Sequence, residues 1–238
     1  MSDKIINMSD KVKVESSLSA AAKLSKKDSF HKETYFPTQI FVSKLHDAEQ
    51  INKELLKEIR AEQARDQAGI QRSNFKSLGG WHSQNHLYKD KRFAAIANRI
   101  RSTARKVSKE CGYDGDYRLK LGTMWSIING PGSFNRSHIH PGCHWSGVYY
   151  VQAPKNSGKI EFVDPRTQNL MDQPVYQSGA KRPKDCWTKV RFVPEPGKLI
   201  IFPSWLYHSV EPNLAEEEGE AAERIIISFN LTQGIDRK

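Results

Sequence analysis

Two histidines one residue apart, His138 and His140, open the stretch HIHPGCHWSGVYYV at residues 138–151. On a β-strand, residues two apart point to the same face of the sheet. Two imidazoles on one face can bind a single metal ion if a third ligand comes from elsewhere in the chain. His208, which follows the buried-looking run KLIIFP, is the candidate for that ligand. Imidazole suits iron, zinc, copper and nickel, and a site with open positions suits oxygen chemistry at Fe(II).

A candidate anion site lies further along the chain. Arg224 begins the apolar run RIIISFN, and an arginine that faces inward from such a strand needs an anionic partner. A carboxylate held by two hydrogen bonds is the natural one. Ser228 lies four residues on and shares the face of Arg224, and Tyr150 lies on the strand after the histidine pair. The residues therefore predict a metal at one end of a pocket and a carboxylate clamp deeper in.

Four further residues are candidates for contacts with ligands. Asn135 precedes His138 by three residues, and Asn129 ends the preceding strand, so either could hydrogen-bond a bound carboxylate or a substrate. Turn formation explains the segment NGPGSFN equally well. Trp125 could line the mouth of a substrate pocket, although aromatic residues in strands usually belong to the core. His82 lies in a polar loop and is a candidate for a lid on the substrate side.

The segments that must position these residues change character at Gly112. Residues 36–45 suit a first strand, and Asp47 with Gln50 predicts a capping box at the start of a helix. A second helix is expected from about Asp90 until Gly112 ends it. The apolar residues at helical spacing are Ile51, Leu55 and Ile59 in the first helix, and Phe93, Ile96, Ile100, Ala104 and Val107 in the second.

The segments after Gly112 are short and strand-like. YRLKLGTMWSIIN, WSGVYYVQA, GKIEFVDP, VRFVPEPGKLIIFP and RIIISFNLTQ are rich in β-branched and aromatic residues, with Gly, Pro and Asn between them. Such a series closes most easily as a barrel. We therefore predict an α+β, mainly β fold, a barrel or jelly roll with the N-terminal helices packed on one face. Residues 1–34, rich in Ser and Lys, are predicted to be a flexible tail, and residues 35–238 the jelly-roll domain.

Composition narrows the class of protein. The 238 residues are 37% hydrophobic and 27% charged, and no apolar run approaches the ~20 residues of a membrane helix. The N-terminus lacks the apolar core of a signal peptide, and three widely spaced cysteines fit a reducing cytosol, so we expect a cytoplasmic protein without a membrane partner. The net charge of +10 leaves a nucleic-acid partner open, although the positive charges are scattered and no nucleic-acid-binding motif accompanies them.

The order and spacing of several motifs resemble a known family. The pattern HxH…H…R resembles the Fe(II)/2-oxoglutarate-dependent dioxygenases with a double-stranded β-helix fold. The segments FPTQIFVSKL, GWHS, HIHPGCHWSGVYYVQAP, IEFVDPR and IFPSWLYHSVEPN…RIIISFN are similar to prolyl-hydroxylase-like 2-oxoglutarate–Fe(II) oxygenases of bacteria and phages. The resemblance extends over about residues 35–238.

The resemblance implies roles for the candidate residues. His138 and His208 would be iron ligands, and Arg224 would bind the distal carboxylate of 2-oxoglutarate with Tyr150 and Ser228. The family usually has Asp or Glu two residues after the first histidine, where this chain has His140. Three histidines holding the iron is the interpretation we favour. The alternatives are a carboxylate from elsewhere, such as Asp164, and an altered or inactive site.

The function implied is an Fe(II)- and 2-oxoglutarate-dependent dioxygenase. With O2 it would oxidise a substrate, most simply by hydroxylation, and release succinate and CO2. Two alternatives stay open: a three-histidine cupin-type dioxygenase that needs no 2-oxoglutarate, and a non-catalytic basic jelly roll that binds nucleic acid. The sequence leaves open whether the substrate is a protein, a nucleic acid or an anionic small molecule, and whether the protein forms a homo-oligomer.

Overall fold

The computed structural model describes residues 30–171 and 173–235. The predicted tail, residues 1–34, lies almost entirely outside the described residues, and residues 30–37 carry no helix or strand. The described residues from Thr38 onward form one compact unit. Its strands are β1 (Phe41–Lys44), β2 (Trp81–His82), β3 (Tyr117–Asn129), β4 (Asn135–His138), β5 (Trp145–Gln152), β6 (Ile160–Val163), β7 (Lys189–Phe192), β8 (Lys198–Pro203), β9 (His208–Val210) and β10 (Arg224–Ile235).

Three α-helices accompany the strands: α1 (Ala48–Arg65), the single turn α2 (Gly69–Arg72) and α3 (Ala94–Glu110). Short 3₁₀ segments lie at Lys76–Leu78, Leu87–Lys89, Lys91–Phe93, Thr167–Leu170, Lys184–Cys186 and Gly219–Ala222. In the described part of the chain, no helix is long and apolar enough to cross a membrane.

Two antiparallel sheets form the barrel. The larger has the order β1-β8-β5-β10-β3-β2, and the smaller has the order β4-β9-β6-β7. Successive strands of the chain alternate between the sheets over much of the barrel, because β5, β8 and β10 belong to the larger sheet and β4, β6 and β9 to the smaller. This arrangement confirms the predicted double-stranded β-helix.

The larger sheet is buried on both faces, which explains the nearly continuous apolar runs of its central strands. Alternate residues of β5, β8 and β10 point outward and pack against the apolar faces of α1 and α3. The other residues point into the barrel, where they meet the smaller sheet. The predicted packing of the helices on one face is therefore confirmed. The outward set from β10 is Ile225, Ile227, Phe229 and Leu231.

The two long helices begin close to their predicted starts, and α3 ends next to the predicted Gly112, but one predicted cap is wrong. Asp47 precedes α1 without making a side-chain capping bond, and its carboxylate pairs with Arg99 of α3 instead. A tertiary ion pair has therefore replaced the local capping box. At the other end of α3, Gly112 adopts the left-handed backbone (φ +66°) that commonly terminates a helix. The predicted first strand is also shorter than expected, since only Phe41–Lys44 pair with β8.

Candidate metal centre

The side chains of His138, His140 and His208 meet at one mouth of the barrel. One nitrogen from each ring can be chosen so that all three lie within 4.8 Å of one another. The Nε2 atoms of His140 and His208 are 3.3 Å apart, and the ring centroids of His138 and His208 are 4.3 Å apart. We call these three residues the histidine cluster. It is the only group of three or more His, Cys, Asp or Glu within the described ranges that could hold a metal ion.

Antiparallel pairing of two short strands brings the cluster together. His138 ends β4, and its Cα is the register partner of that of His208, which begins β9. His140 lies beyond the end of β4, so the expectation that both histidines share one strand is wrong. The backbone N–H of His140 donates to the carbonyl of Ser204 at 2.9 Å, and this bond holds the segment after β4 against the turn before β9.

Backbone carbonyls orient two of the rings. The Nδ1 atom of His208 lies 2.9 Å from the carbonyl oxygen of Leu206, and that of His138 lies 2.7 Å from the carbonyl oxygen of Arg136. A carbonyl only accepts, so in each ring Nδ1 carries the proton and Nε2 keeps its lone pair. Metal-binding histidines are commonly held in this way.

Burial keeps two imidazoles of the cluster, those of His140 and His208, neutral. The pKa of His208 is lowered to about 3, mainly by burial. The neighbouring His138 and His140 also lower this pKa, whereas the hydrogen bond to Leu206 raises it. The pKa of His140 is lowered to about 4, mainly by burial and in addition by the neighbouring His138. Neutral imidazole is the form that binds a metal, so His140 and His208 need not lose a proton before they bind one at neutral pH.

The donor set fits a divalent metal. If two nitrogens bind one ion at about 2.1 Å each, with a right angle between the two bonds, they lie about 3 Å apart. The Nε2 atoms of His140 and His208 are 3.3 Å apart, which is close to that distance. No carboxylate belongs to the cluster. Asp164 is engaged elsewhere, because it accepts hydrogen bonds from Arg166 and Asn169. Asp164 therefore pairs with Arg166 in the turn after β6 and is not part of the histidine cluster.

Arg224 places a buried positive charge in the cleft that the histidine cluster lines. Its side chain is 2% exposed, and Nη1 donates to the carbonyl of Ser157. Nη2 is buried and has no hydrogen-bond partner among the described residues. Burial lowers the pKa of Arg224 to about 10, so the guanidinium is still charged at neutral pH. A buried cation with a free donor is the complement of an anionic ligand.

One cleft joins Arg224 to the histidine cluster. Its cavity volume is about 70 Å³, and it opens to solvent. Tyr150 and Ser228 line it as predicted, and burial raises the pKa of the Tyr150 phenol, so this residue enters the cleft as a neutral group. We call this space the central cleft. Its apolar wall includes Ile127, Val148, Ile160, Phe202, Val210 and Ile226.

The residues predicted for the substrate side lie around the cluster. Trp125 lines the central cleft, stacks on His82 with ring centroids 5.9 Å apart, and lies 6.2 Å from the ring of His140. Asn135 lines the cleft as well. Asn129 does not reach it: this residue is 3% exposed and lines a small adjoining recess with His82 and Asn135. Its side-chain oxygen has no hydrogen-bond partner among the described residues.

The structure adds residues that the sequence did not suggest. A second groove, here called the side groove, shares Asn135 and His138 with the central cleft. Phe75 and Phe134 lie in it with ring centroids 5.1 Å apart. The carbonyl of Ser157 was also missed. A backbone group carries no residue-type signal, and the phenylalanines come from loops without any periodic pattern.

Comparison with known proteins shows a partial match to one family. Residues 123–230 match the sequence model of the family described as "Putative 2OG-Fe(II) oxygenase". The matched segment contains the whole histidine cluster, Tyr150, Arg224 and Ser228. No curated protein matches the sequence.

Solved structures share the fold at low sequence identity. The epimerase SnoN from nogalamycin biosynthesis, a non-heme α-ketoglutarate-dependent enzyme, is 16% identical with a TM-score of 0.55, over 82% of this chain and 78% of that one. A Pseudomonas putida prolyl-4-hydroxylase is 14% identical with a TM-score of 0.53, over 83% and 94%. A prolyl hydroxylase from Trichoplax adhaerens is 16% identical with a TM-score of 0.52, over 97% and 96%.

Proposed function

We propose that this protein, a member of the 2OG-Fe(II) oxygenase family, binds Fe(II) with its histidine cluster and binds 2-oxoglutarate with Arg224. One observation carries the proposal: a cleft with three convergent imidazoles also contains a buried arginine with a free donor. The metal and the dicarboxylate are the two ligands that these features fit.

Each end of 2-oxoglutarate has a partner in this proposal. The keto-acid end is held at the metal, and the distal carboxylate accepts hydrogen bonds from Arg224. Tyr150 is neutral and lines the cleft, so its hydroxyl donates to the same carboxylate, with Ser228 as a further donor. The apolar wall of the cleft excludes water from the carbon chain between the two ends.

Iron held by the histidine cluster would supply, with 2-oxoglutarate and O2, the oxidising power for hydroxylating a substrate C–H bond; one oxygen atom would enter the substrate and the other the succinate formed as CO2 leaves. The protein contributes position and charge. Leu206 and Arg136 fix two imidazoles through their carbonyls, and Trp125 restricts the space beside His140. Hydroxylation is the simplest outcome of such a reaction, and we propose it for this enzyme.

His140 replaces the carboxylate that the family usually supplies, and we propose that it is the third ligand. Its Nε2 lies 3.3 Å from that of His208, and no carboxylate of the described residues joins the cluster. The ligand set is then neutral, so the metal keeps one more unit of positive charge than with a carboxylate. That charge strengthens binding of the anionic co-substrate and changes the redox properties of the metal.

We place the substrate in the side groove, because this groove shares His138 and Asn135 with the central cleft. An occupant of the side groove therefore reaches the metal without displacing 2-oxoglutarate from Arg224. The phenyl rings of Phe75 and Phe134 offer an apolar surface, and the exposed Arg136 beside them favours an anionic or acceptor-rich group.

We also propose a cytoplasmic location. Cys111, Cys143 and Cys186 are all free thiols, which fits a reducing compartment. Cell fractionation with an antibody against the native protein tests this directly, and recovery in an extracellular or membrane fraction would contradict it.

An anaerobic titration tests the function. Apo-protein receives Fe(II) and then 2-oxoglutarate, and the visible absorbance is followed for the metal-to-ligand charge-transfer band. The band is expected only after both additions in the wild type and in His144→Ala, and is expected to be lost in His208→Ala. His144 is a suitable control because its Nδ1 accepts from the backbone N–H of Gln233 and it does not belong to the cluster.

The other outcomes point to the alternatives. Iron binding without a response to 2-oxoglutarate would favour a three-histidine dioxygenase that uses no co-substrate. Failure to bind iron at all, together with salt-sensitive binding of RNA or DNA, would favour a non-catalytic basic module.

A further inference from the structure

The loop between β5 and β6, residues 154–159, packs directly against Arg224, and we call it the anchoring loop. The carbonyl of Ser157 accepts the hydrogen bond from Nη1 of Arg224. Ser157 itself is 0% exposed, so this contact is shielded from water. The carbonyl therefore engages one terminal nitrogen of the guanidinium and leaves the other, Nη2, free.

Backbone bonds hold the anchoring loop in place on both sides. The N–H of Ser157 donates to the carbonyl of Pro154 at 3.2 Å, which closes a turn. Asn156 adopts a positive φ of 59°, and its carbonyl accepts from the N–H of Leu214 at 2.9 Å. The N–H of Glu211 donates to the carbonyl of Lys159 at 2.9 Å. The loop is thus tied to the segment after β9.

Gly158 is the residue that permits this close packing. Its φ is +90°, and a Cβ built there would lie 2.1 Å from the carbonyl oxygen of Glu211 and 2.7 Å from Nη1 of Arg224. Both distances are shorter than real Cβ contacts. A side chain at this position would have to push the loop away from β9, displace the guanidinium, or both.

We propose that Gly158 is a positioning residue for the co-substrate: it lets the Ser157 carbonyl hold Arg224 in the orientation that presents Nη2 to the distal carboxylate of 2-oxoglutarate. This inference rests on the proposed function of Arg224. Gly158 touches neither metal nor co-substrate and acts only through the arginine.

The test compares two alanine substitutions in Zn(II)-loaded protein, with 2-oxoglutarate binding measured by calorimetry. Gly158→Ala is expected to raise the Kd for 2-oxoglutarate by about tenfold or more, while the Kd for Zn(II), from competition with a chelator, changes less than twofold. Gly179→Ala is the matched control, because Gly179 has a similar φ of +76° but nothing within 4 Å of its built Cβ. It is expected to leave both constants unchanged.

A double-mutant cycle shows whether the effect passes through the arginine. Arg224→Lys keeps a positive charge but lacks the Nη1 that Ser157 holds. In this background Gly158→Ala is expected to change the Kd for 2-oxoglutarate less than twofold. An unchanged Kd for Gly158→Ala alone, or a full tenfold effect in the lysine background, would overturn the proposal. A wild type that binds zinc but not 2-oxoglutarate would refute the proposed function instead.

A milder variant covers the case in which Gly158→Ala does not fold. Asn156→Ala strains the same loop, because alanine tolerates a positive φ less well than asparagine does. Asn156→Gly adds no such strain, because glycine adopts a positive φ freely. The alanine variant is expected to weaken 2-oxoglutarate binding several-fold relative to the glycine variant, with equal zinc affinity. Equal 2-oxoglutarate affinity in these two variants would contradict the role of the loop.

Discussion

Arg224→Met separates binding of the co-substrate from stability of the fold. Methionine has a similar length but no charge, and the side chain enters a space lined by Val148, Tyr150 and Ile226. The distal carboxylate of 2-oxoglutarate then loses its cationic partner. Removing one partner of a buried, hydrogen-bonded charge pair costs about 2–5 kcal/mol. Since each 1.4 kcal/mol is a factor of ten, the Kd for 2-oxoglutarate is expected to rise at least about 30-fold.

The free energy of unfolding of the unliganded protein is expected to change less than the free energy of 2-oxoglutarate binding. Burial lowers the pKa of Arg224 from 12.5 to about 10. A base whose pKa is lowered in the folded state destabilises the fold at every pH at which it is charged, here by about 3 kcal/mol. Methionine removes that penalty but leaves the Ser157 carbonyl without its donor, which costs about 1–3 kcal/mol. The two changes nearly offset, so the free energy of unfolding is expected to shift by no more than about 2 kcal/mol.

Two measurements check this prediction. Calorimetry on the Zn(II)-loaded protein gives the Kd for 2-oxoglutarate, and urea unfolding of the metal-free protein gives its stability. Arg65→Met is the matched control, because this arginine lies on α1 and pairs with Glu62 on the surface. It is expected to leave the Kd unchanged. If Arg224→Met binds 2-oxoglutarate within threefold of wild type, the assignment of Arg224 is refuted.

Three further predictions follow from other parts of the site and core. His140→Asp is expected to keep the metal and to raise affinity for Mn(II) relative to Zn(II), whereas His140→Ala should lose about tenfold in affinity for both, measured by chelator competition. Below its ordinary pKa of 6.5 an unfolded histidine is protonated, but burial holds the pKa of His208 at about 3 in the fold. Unfolding of the metal-free protein should therefore become easier as the pH falls from 6.5, with His208 alone contributing up to about 1.4 kcal/mol per pH unit, and His208→Gln should reduce the slope by that amount in urea titrations. The Tyr149 hydroxyl donates to the Asn52 side chain at 2.7 Å between β5 and α1. Tyr149→Phe should lower the free energy of unfolding by about 1–3 kcal/mol with unchanged 2-oxoglutarate affinity, and a loss of that affinity would contradict the division between core and site.

Local pattern was enough for most of the secondary structure. Residues 117–129 read as a strand in the sequence and form β3 over the same bounds, because β-branched and aromatic residues suit a pleated, buried surface. Apolar residues at helical spacing predicted α1 and α3 correctly, because these residues form the buried face of each helix. The capping box at Asp47 failed because Arg99, 52 residues away, provides a stronger partner than the local backbone.

The types of the site residues could be predicted from the sequence, since His138, His140, His208 and Arg224 are unusual beside apolar strands. The strand assumed for His140 was wrong, yet the residue reaches the cluster through the bond to Ser204.

The sequence by itself therefore determined which residue types are available: three imidazoles that suit a metal, one arginine that suits a carboxylate, and short apolar strands that suit a barrel. Tertiary structure decided which groups meet. The pairing of β4 with β9 brings His138 opposite His208 across 70 residues of chain, and a backbone carbonyl from the anchoring loop orients Arg224. Contacts of this kind depend on how two sheets close around a common interior, and no spacing within a single segment encodes them.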